Sequence, residues 1–184
     1  MIFNKKRWII SLLIILILII IILFLSSSDI EKQGQRSLRY QPPQGDERVK
    51  HDHHVLVHTV YVPVYSHVYF GSGEPYLLTI TLAVRNTDLD REILIRSIKY
   101  YDTDGKLVRN YLANPLKLNA LASKEVLVEE HDIAGGVGAK FIVEWVADET
   151  VESPVIEAIM IGGSDLRGIS FTTTGKEISL KEVD

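Results

Sequence analysis

The chain contains no cysteine. That absence excludes disulfides, a lipid-modified N-terminal cysteine, thiolate nucleophiles and cysteine-ligated metal. Also missing are the Gly-x-Ser-x-Gly nucleophile elbow, the His-Glu-x-x-His metal pair and the Gly-Lys-Ser/Thr end of a phosphate loop. Beyond residue 25 no stretch keeps helical periodicity for a dozen residues, so long amphipathic helices are excluded as well. Positive charge is scarce in the same region. Of the 20 Lys and Arg residues, Lys5, Lys6 and Arg7 come first, leaving 17 against 24 acids, a net of −7. An acidic surface argues against nucleic acid as a partner. No catalytic constellation and no cofactor are expected.

What is present is one uninterrupted apolar segment. Trp8–Leu25 reads WIISLLIILILIIIILFL, broken only by Ser11. A helix of this length spans about 27 Å, close to the roughly 30 Å of a bilayer core. The three cations before it and the late first acid, Asp29, place the N-terminus in the cytoplasm. The competing reading is a cleaved signal peptide. Its apolar core is normally about 7–15 residues, and Ser26-Ser27-Ser28 is only a fair cleavage site. The expected layout is a cytoplasmic tail at 1–7, a transmembrane anchor at 8–25, a flexible linker at 26–54 and an exported domain at 55–184. The protein is then single-pass in the cytoplasmic (inner) membrane, with its domain periplasmic or extracellular. The linker expectation rests on the run Gln41-Pro42-Pro43-Gln44-Gly45, scattered charge and a near lack of apolar residues.

From Val55 the pattern changes to short stretches of Val, Ile, Thr, Tyr and Phe between turn residues, the signature of strands. Leu78, Ile80, Leu82 and Val84 alternate with Thr79, Thr81, Ala83 and Arg85. Phe141, Val143 and Trp145 alternate likewise, as do Val126 and Val128. A hairpin is predicted from Ile93–Tyr101 to Leu107–Leu112 through Asp104-Gly105, with a β-bulge near Arg96-Ser97 where the alternation slips. Further strands are expected at Val55–Val64, Pro154–Ile161, Gly168–Thr173 and Glu177–Leu180, and a short turn within Asn114–Lys124. The fold class expected is all-β: an antiparallel immunoglobulin-like β-sandwich after one N-terminal transmembrane helix.

Several side-chain groups invite chemistry. His51, His53, His54 and His58 fall within eight residues, and in an extended segment they present two imidazoles to each face. They are metal-ligand candidates if another element adds a carboxylate, and otherwise polar surface. Asp102-Thr103-Asp104-Gly105 resembles the opening of a calcium loop but lacks its closing glutamate, so a hairpin turn is the better reading. Gly135-Gly136-Val137-Gly138 reads as a loop needing positive φ or close backbone approach rather than a phosphate cradle. Glu129-Glu130-His131-Asp132 reads as a solvated strand end, not an acid–base site. Tyr61, Tyr65, Tyr69, Tyr76, Tyr100, Tyr101 and Tyr111 either pack across strands or line a groove. Arg85 and Arg109 are expected to be structural partners on strand faces.

Four strings resemble bacterial proteins carrying the domain of unknown function DUF3124. They are Val62-Pro63-Val64-Tyr65-Ser66-His67-Val68-Tyr69; Val84-Arg85-Asn86-Thr87-Asp88; Ile98-Lys99-Tyr100-Tyr101-Asp102 with Gly105-Lys106-Leu107-Val108-Arg109; and Gly135 through Trp145. The resemblance covers about Val55 to Thr173 and is most specific in the last string, where family members often carry Asn in place of Lys140. It implies an exported β domain and no particular reaction. The order of Arg-Asn-Thr and Tyr-Asp-x-Asp-Gly strings also looks like immunoglobulin-like modules of the late-embryogenesis and FxLYD type. The function expected is a membrane-anchored binding or envelope-assembly module. The alternatives are metal handling by the His51–His58 cluster and an uncharacterised enzyme.

Overall fold

The computed structural model describes residues 16–17, 55–147, 151–164 and 167–183. The chain divides into two units, Met1–Gln41 and Pro42–Asp184. In the first, Leu16 and Ile17 are helical. The rest of the expected anchor, and the linker at 26–54, lie outside the described residues. Among the described residues no helix is long and apolar enough to cross a membrane.

The second unit is all-β, and every ladder is antiparallel. One sheet holds β1 (Val55–Pro63), β5 (Ile93–Tyr101), β6 (Leu107–Asn110), β7 (Leu116–Leu118), β9 (Lys140–Ala147) and β12 (Lys176–Val183). Its order is β12-β1-β9-β5-β6, with β7 also on β5. A second sheet holds β4 (Thr79–Arg85), β8 (Ser123–Val128), β10 (Val155–Ser164) and β11 (Arg167–Thr174), in the order β11-β10-β4-β8. The strands β2 (His67–Phe70) and β3 (Glu74–Leu77) pair only with each other.

Period-two alternation explains both larger sheets. In β4 the buried Ile80 lies opposite Met160 and Val128, and Leu82 opposite Ala158 and Val126. In β9 the buried Phe141 and Val143 lie opposite Val62 and Val60 of β1 on one side and Tyr100 and Ile98 of β5 on the other. Each fully buried aliphatic or aromatic side chain in such rows contributes about 1.5–3 kcal/mol of apolar transfer. The expected bulge is present: the β5–β9 register shifts between Ile95 and Ser97, and Arg96 is the exposed extra residue. It puts Ile95, opposite Trp145, on the same face as Ile98 and Tyr100. A regular strand would turn the two halves to opposite faces.

The predicted hairpin turn is also present, with Gly105 at φ 83° and its N–H donating to Asp102 O at 3.1 Å. The second strand stops at Asn110, sooner than expected, as the Asn110 side chain accepts from Leu112 N–H at 3.4 Å. Asn114–Lys124 contains strand β7 as well as the expected turn, which uses Leu121 at φ 57°. The β2–β3 hairpin was not anticipated. Its signal is Gly71-Ser72-Gly73 between aromatic residues, and both glycines take positive φ, 58° and 99°.

Candidate functional site: two polar corners and an apolar groove

The first corner grows from Asn86, which directly follows β4 and is 2% exposed. A buried primary amide must place all its hydrogen-bonding groups. Asn86 Nδ2 donates to the carbonyls of Arg91 (2.7 Å), Asn119 (3.0 Å) and Leu118 (3.2 Å). Its Oδ1 accepts from Asp88 N–H at 3.0 Å. Asp88 Oδ1 in turn accepts from the N–H groups of Asp90 and Arg91, each at 2.9 Å, and Oδ2 from Glu152 N–H at 3.3 Å. These donors, Asp90 first and then Arg91, hold the Asp88 carboxyl below the ordinary carboxylate value against the opposing effect of desolvation. Two side chains thus tie together three converging backbone segments, 88–91, 118–119 and Glu152.

The second corner is built from the Gly135 loop and the Asp102–Gly105 turn. A 3-10 helix at Ile133–Gly135 is capped by the Asp132 side chain and ends at Gly136, φ 74°. Thr103 N–H donates to Gly135 O at 2.9 Å, and Gly138 N–H donates to Thr103 Oγ1 at 3.0 Å. Lys140 Nζ donates to Asp102 O and reaches the carbonyls of Thr103 and Gly138 at 3.4 Å. Ser66 N–H donates to Gly136 O at 3.1 Å, tying in the segment after β1. Beneath the loop lies Tyr100, fully buried against Phe141 at a ring distance of 5.0 Å. Among the described residues its hydroxyl has no hydrogen-bond partner, and a Cβ on Gly135 would collide with it. Burial, reinforced by the negative charge of Asp132, pushes the Tyr100 phenol well above its ordinary pKa, so it stays neutral.

The third feature is apolar and open. The β2–β3 hairpin lies over the end of β10 at Gly162. A Cβ there would meet Leu77 O and come within 2.8 Å of Tyr76 Cε1 and Leu78 Cδ2. Between hairpin and β11 this leaves a groove of about 380 Å³, lined by Val68, Tyr69, Phe70, Tyr76, Gly168 and Ile169. The volume falls within the range of small-ligand pockets. Tyr69 and Phe70 stand 63% and 61% exposed at it. The lining carries no carboxylate, amine or imidazole. Such a surface can hold an uncharged apolar group, with the phenols of Tyr69 and Tyr76 as its polar side-chain groups.

Of the metal-ligand candidates, His51, His53 and His54 lie outside the described residues. His58 stacks on Trp145 at 4.0 Å with ring planes 9° apart, and its Nδ1 lies 3.2 Å from Glu177 Oε2. Among the described residues no three His, Asp or Glu side chains gather as a metal site. Asp102 and Asp104 sit in the hairpin turn, and Lys106 N–H donates to the Asp102 side chain at 2.8 Å. Asp132 of the acidic run pairs with Arg109 at 2.9 Å, and Arg85 pairs with Glu157 at 3.0 Å, as expected of structural partners. The tyrosines divide. Tyr65 meets Phe171 edge-on at 5.7 Å and Tyr111 packs on Phe141 at 5.8 Å, whereas Tyr69 and Tyr76 line the groove. Sequence reasoning missed Val68, Phe70, Gly168 and Ile169 as groove residues, because the hairpin that brings them together was not seen.

A family model described as "Protein of unknown function (DUF3124)" matches residues 57–178. No curated protein matches the chain significantly. A solved structure titled "Crystal Structure of Thermotoga maritima 1070" is similar at 15% identity and a TM-score of 0.40, over 65% of this chain and 92% of that one.

Proposed function

The chain belongs to the DUF3124 family, and from that premise we propose that it is a non-enzymatic binding module, held on the outer side of the cytoplasmic membrane, whose groove takes an uncharged apolar group of a ligand or envelope partner. The observation that carries this reading is the groove itself: an open apolar wall, two exposed aromatics and no carboxylate, amine or imidazole in the lining. A contiguous exposed apolar surface of this kind marks a binding site more often than an ordinary surface. The anchor reading is supported by the eighteen-residue apolar run at 8–25 and the three cations before it. Tethering raises the effective concentration of the module for partners at the bilayer. The domain is read as an immunoglobulin-like sandwich with the two larger sheets as layers. Each sheet buries one face along its strands, the larger one also burying Val57, Leu94 and Val146 on its other face, and Tyr111 Oη donates to Leu127 O at 3.1 Å while Thr173 Oγ1 donates to Pro63 O at 2.6 Å, linking one sheet to the other.

Photo-crosslinking in intact cells tests the reading. A benzophenone amino acid is placed in the full-length protein at Phe70, and separately at the exposed Leu89 and Leu121. The expected result is one discrete adduct at Phe70, identified by mass and absent from the other two positions. The same adducts at all three positions, or none at Phe70, would sink the proposal.

A further inference from the structure

A strand pair that packs on a core needs one apolar face, and the outer half of the β2–β3 hairpin has apolar groups on both. In its ladder Val68 lies opposite Tyr76 and Phe70 opposite Glu74, while Tyr69 lies opposite Pro75. Period two therefore puts Val68, Phe70 and Tyr76 on one face and Tyr69 and Pro75 on the other. Every residue from Tyr69 to Pro75 is exposed, and both aromatic rings stand more than half exposed. Among the described residues the hairpin pairs with no other strand. Its tip closes on itself, Gly73 N–H donating to Phe70 O at 3.2 Å. From Val68 to Gly73 it carries no charge. Several other connections are charged: Asp88, Asp90, Arg91 and Glu92 between β4 and β5, Asp102, Asp104 and Lys106 between β5 and β6, and Glu129, Glu130 and Asp132 between β8 and β9. The turn at Leu121 is uncharged, but there a single exposed leucine stands between two alanines.

We propose that the tip of this hairpin, with Tyr69 and Phe70, dips into the outer surface of the membrane that anchors the chain, and that the groove beside it takes a lipid acyl chain. The proposal rests on the anchor and groove readings above and names the groove's occupant. Geometry favours a bilayer over a protein. A protein docked from one side covers one face of a hairpin, whereas lipid surrounds both. Side-chain chemistry agrees: a tyrosine ring is at home at the headgroup level, its phenol in water and its body in the apolar phase, and Phe70 adds an apolar ring. Shallow immersion also leaves the hairpin's outer backbone groups within reach of water, as lipid contact requires. Charge points the same way. The residues beyond 25 carry a net −7, so anionic headgroups do not attract the domain, and an uncharged apolar tip is the part suited to enter. The bilayer is within reach as well, since the 29 residues between Leu25 and Val55 span at most about 100 Å.

The cysteine-free sequence gives a probe one attachment point. Phe70→Cys, Ser72→Cys, Leu89→Cys and Leu121→Cys are made singly in the full-length protein and labelled with a nitrobenzoxadiazole fluorophore. Leu89 and Leu121, 74% and 63% exposed, are the controls for an exposed apolar position elsewhere. Each protein is reconstituted into phosphatidylcholine vesicles in which part of the lipid carries a nitroxide high on its acyl chain. A nitroxide quenches the fluorophore only at close range. The labels at 70 and 72 are expected to lose most of their fluorescence relative to nitroxide-free vesicles, and those at 89 and 121 to lose none. Adding Phe70→Glu to Ser72→Cys is expected to restore the fluorescence with an unchanged circular dichroism spectrum, because a carboxylate is costly to place in lipid. Labels at 70 and 72 that stay bright, or equal quenching at all four positions, would overturn the proposal. Crosslinking at Phe70 keeps the readings apart: a discrete protein adduct beside an unquenched label leaves the groove reading standing and removes the lipid. Protein that alkaline carbonate strips from the vesicles removes the anchor reading, and this proposal with it.

Discussion

The Asn86 corner and the groove flank both lie at strand ends, and they are built in opposite ways. At the corner, each polar group of a 2%-exposed side chain meets a backbone partner, and Asp88 extends the same satisfaction to three more N–H groups. At the flank, aromatic and aliphatic side chains stand more than one-third exposed with nothing from the described residues over them. The difference teaches where to look for function. Buried polar groups with complete partners fix a backbone, and removing one leaves the others unsatisfied. Exposed apolar groups do little for a monomer and much for a complex.

The strings by which the chain resembles its family fall mainly on the corners. Val84 to Asp88 is the Asn86 corner. The Tyr100–Asp102 and Gly135–Lys140 strings, with Val64 and Ser66, form the Gly135 corner. Only Val68 and Tyr69 of the quoted strings reach the groove. The family pattern therefore reports the scaffold more than the ligand.

Breaking the corners is expected to cost the most stability. Asn86→Leu strands three carbonyls and the Asp88 N–H. Urea unfolding of the variant should show a loss of about 4 kcal/mol; a loss below about 1 kcal/mol would mean the corner is not a buried network. Gly135→Ala forces a methyl onto the Tyr100 hydroxyl and within 2.8 Å of the Ala139 methyl, at a cost of about 2 kcal/mol. A wild-type midpoint for that variant would show that the loop is not packed on Tyr100.

The Asp88 carboxyl sharpens the comparison through pH. Its pKa is lowered on folding, so its contribution is fully present above the unfolded value of about 3.9. It is lost as pH falls through the lower folded value. Asp88→Asn should therefore flatten the acid side of the stability profile, whereas parallel profiles for the two proteins would remove Asp88 from the account. Tyr100→Phe has the smallest expected effect. It deletes a buried hydroxyl that has no partner among the described residues, so stability should hold or rise by about 1 kcal/mol.

Much of this scaffold is legible in the sequence. The alternation in β4 and β9 follows from one buried face, and the bulge from the slip between Ile95 and Ile98, because both are local consequences of a two-residue period. The Asp-Gly turn is equally local. The groove is not legible, because its walls are Val68 to Phe70, Tyr76, and Gly168 to Ile169, about one hundred residues apart, and only the missing side chain at Gly162 lets them meet. The Asn86 network escapes notice for the same reason: its acceptors at Leu118 and Asn119 come from a distant turn. The anchor and three of the clustered histidines lie outside the described residues.

The central claim is that stability resides in the corners and binding on the apolar flank. Ile169→Lys in the full-length protein tests it most directly, since Ile169 lines the groove and is 39% exposed. The variant is probed for its urea midpoint and for the benzophenone adduct at Phe70. The account predicts an unfolding free energy within about 0.5 kcal/mol of the parent and loss of the adduct. An unfolded domain, or an adduct that persists unchanged, would contradict it.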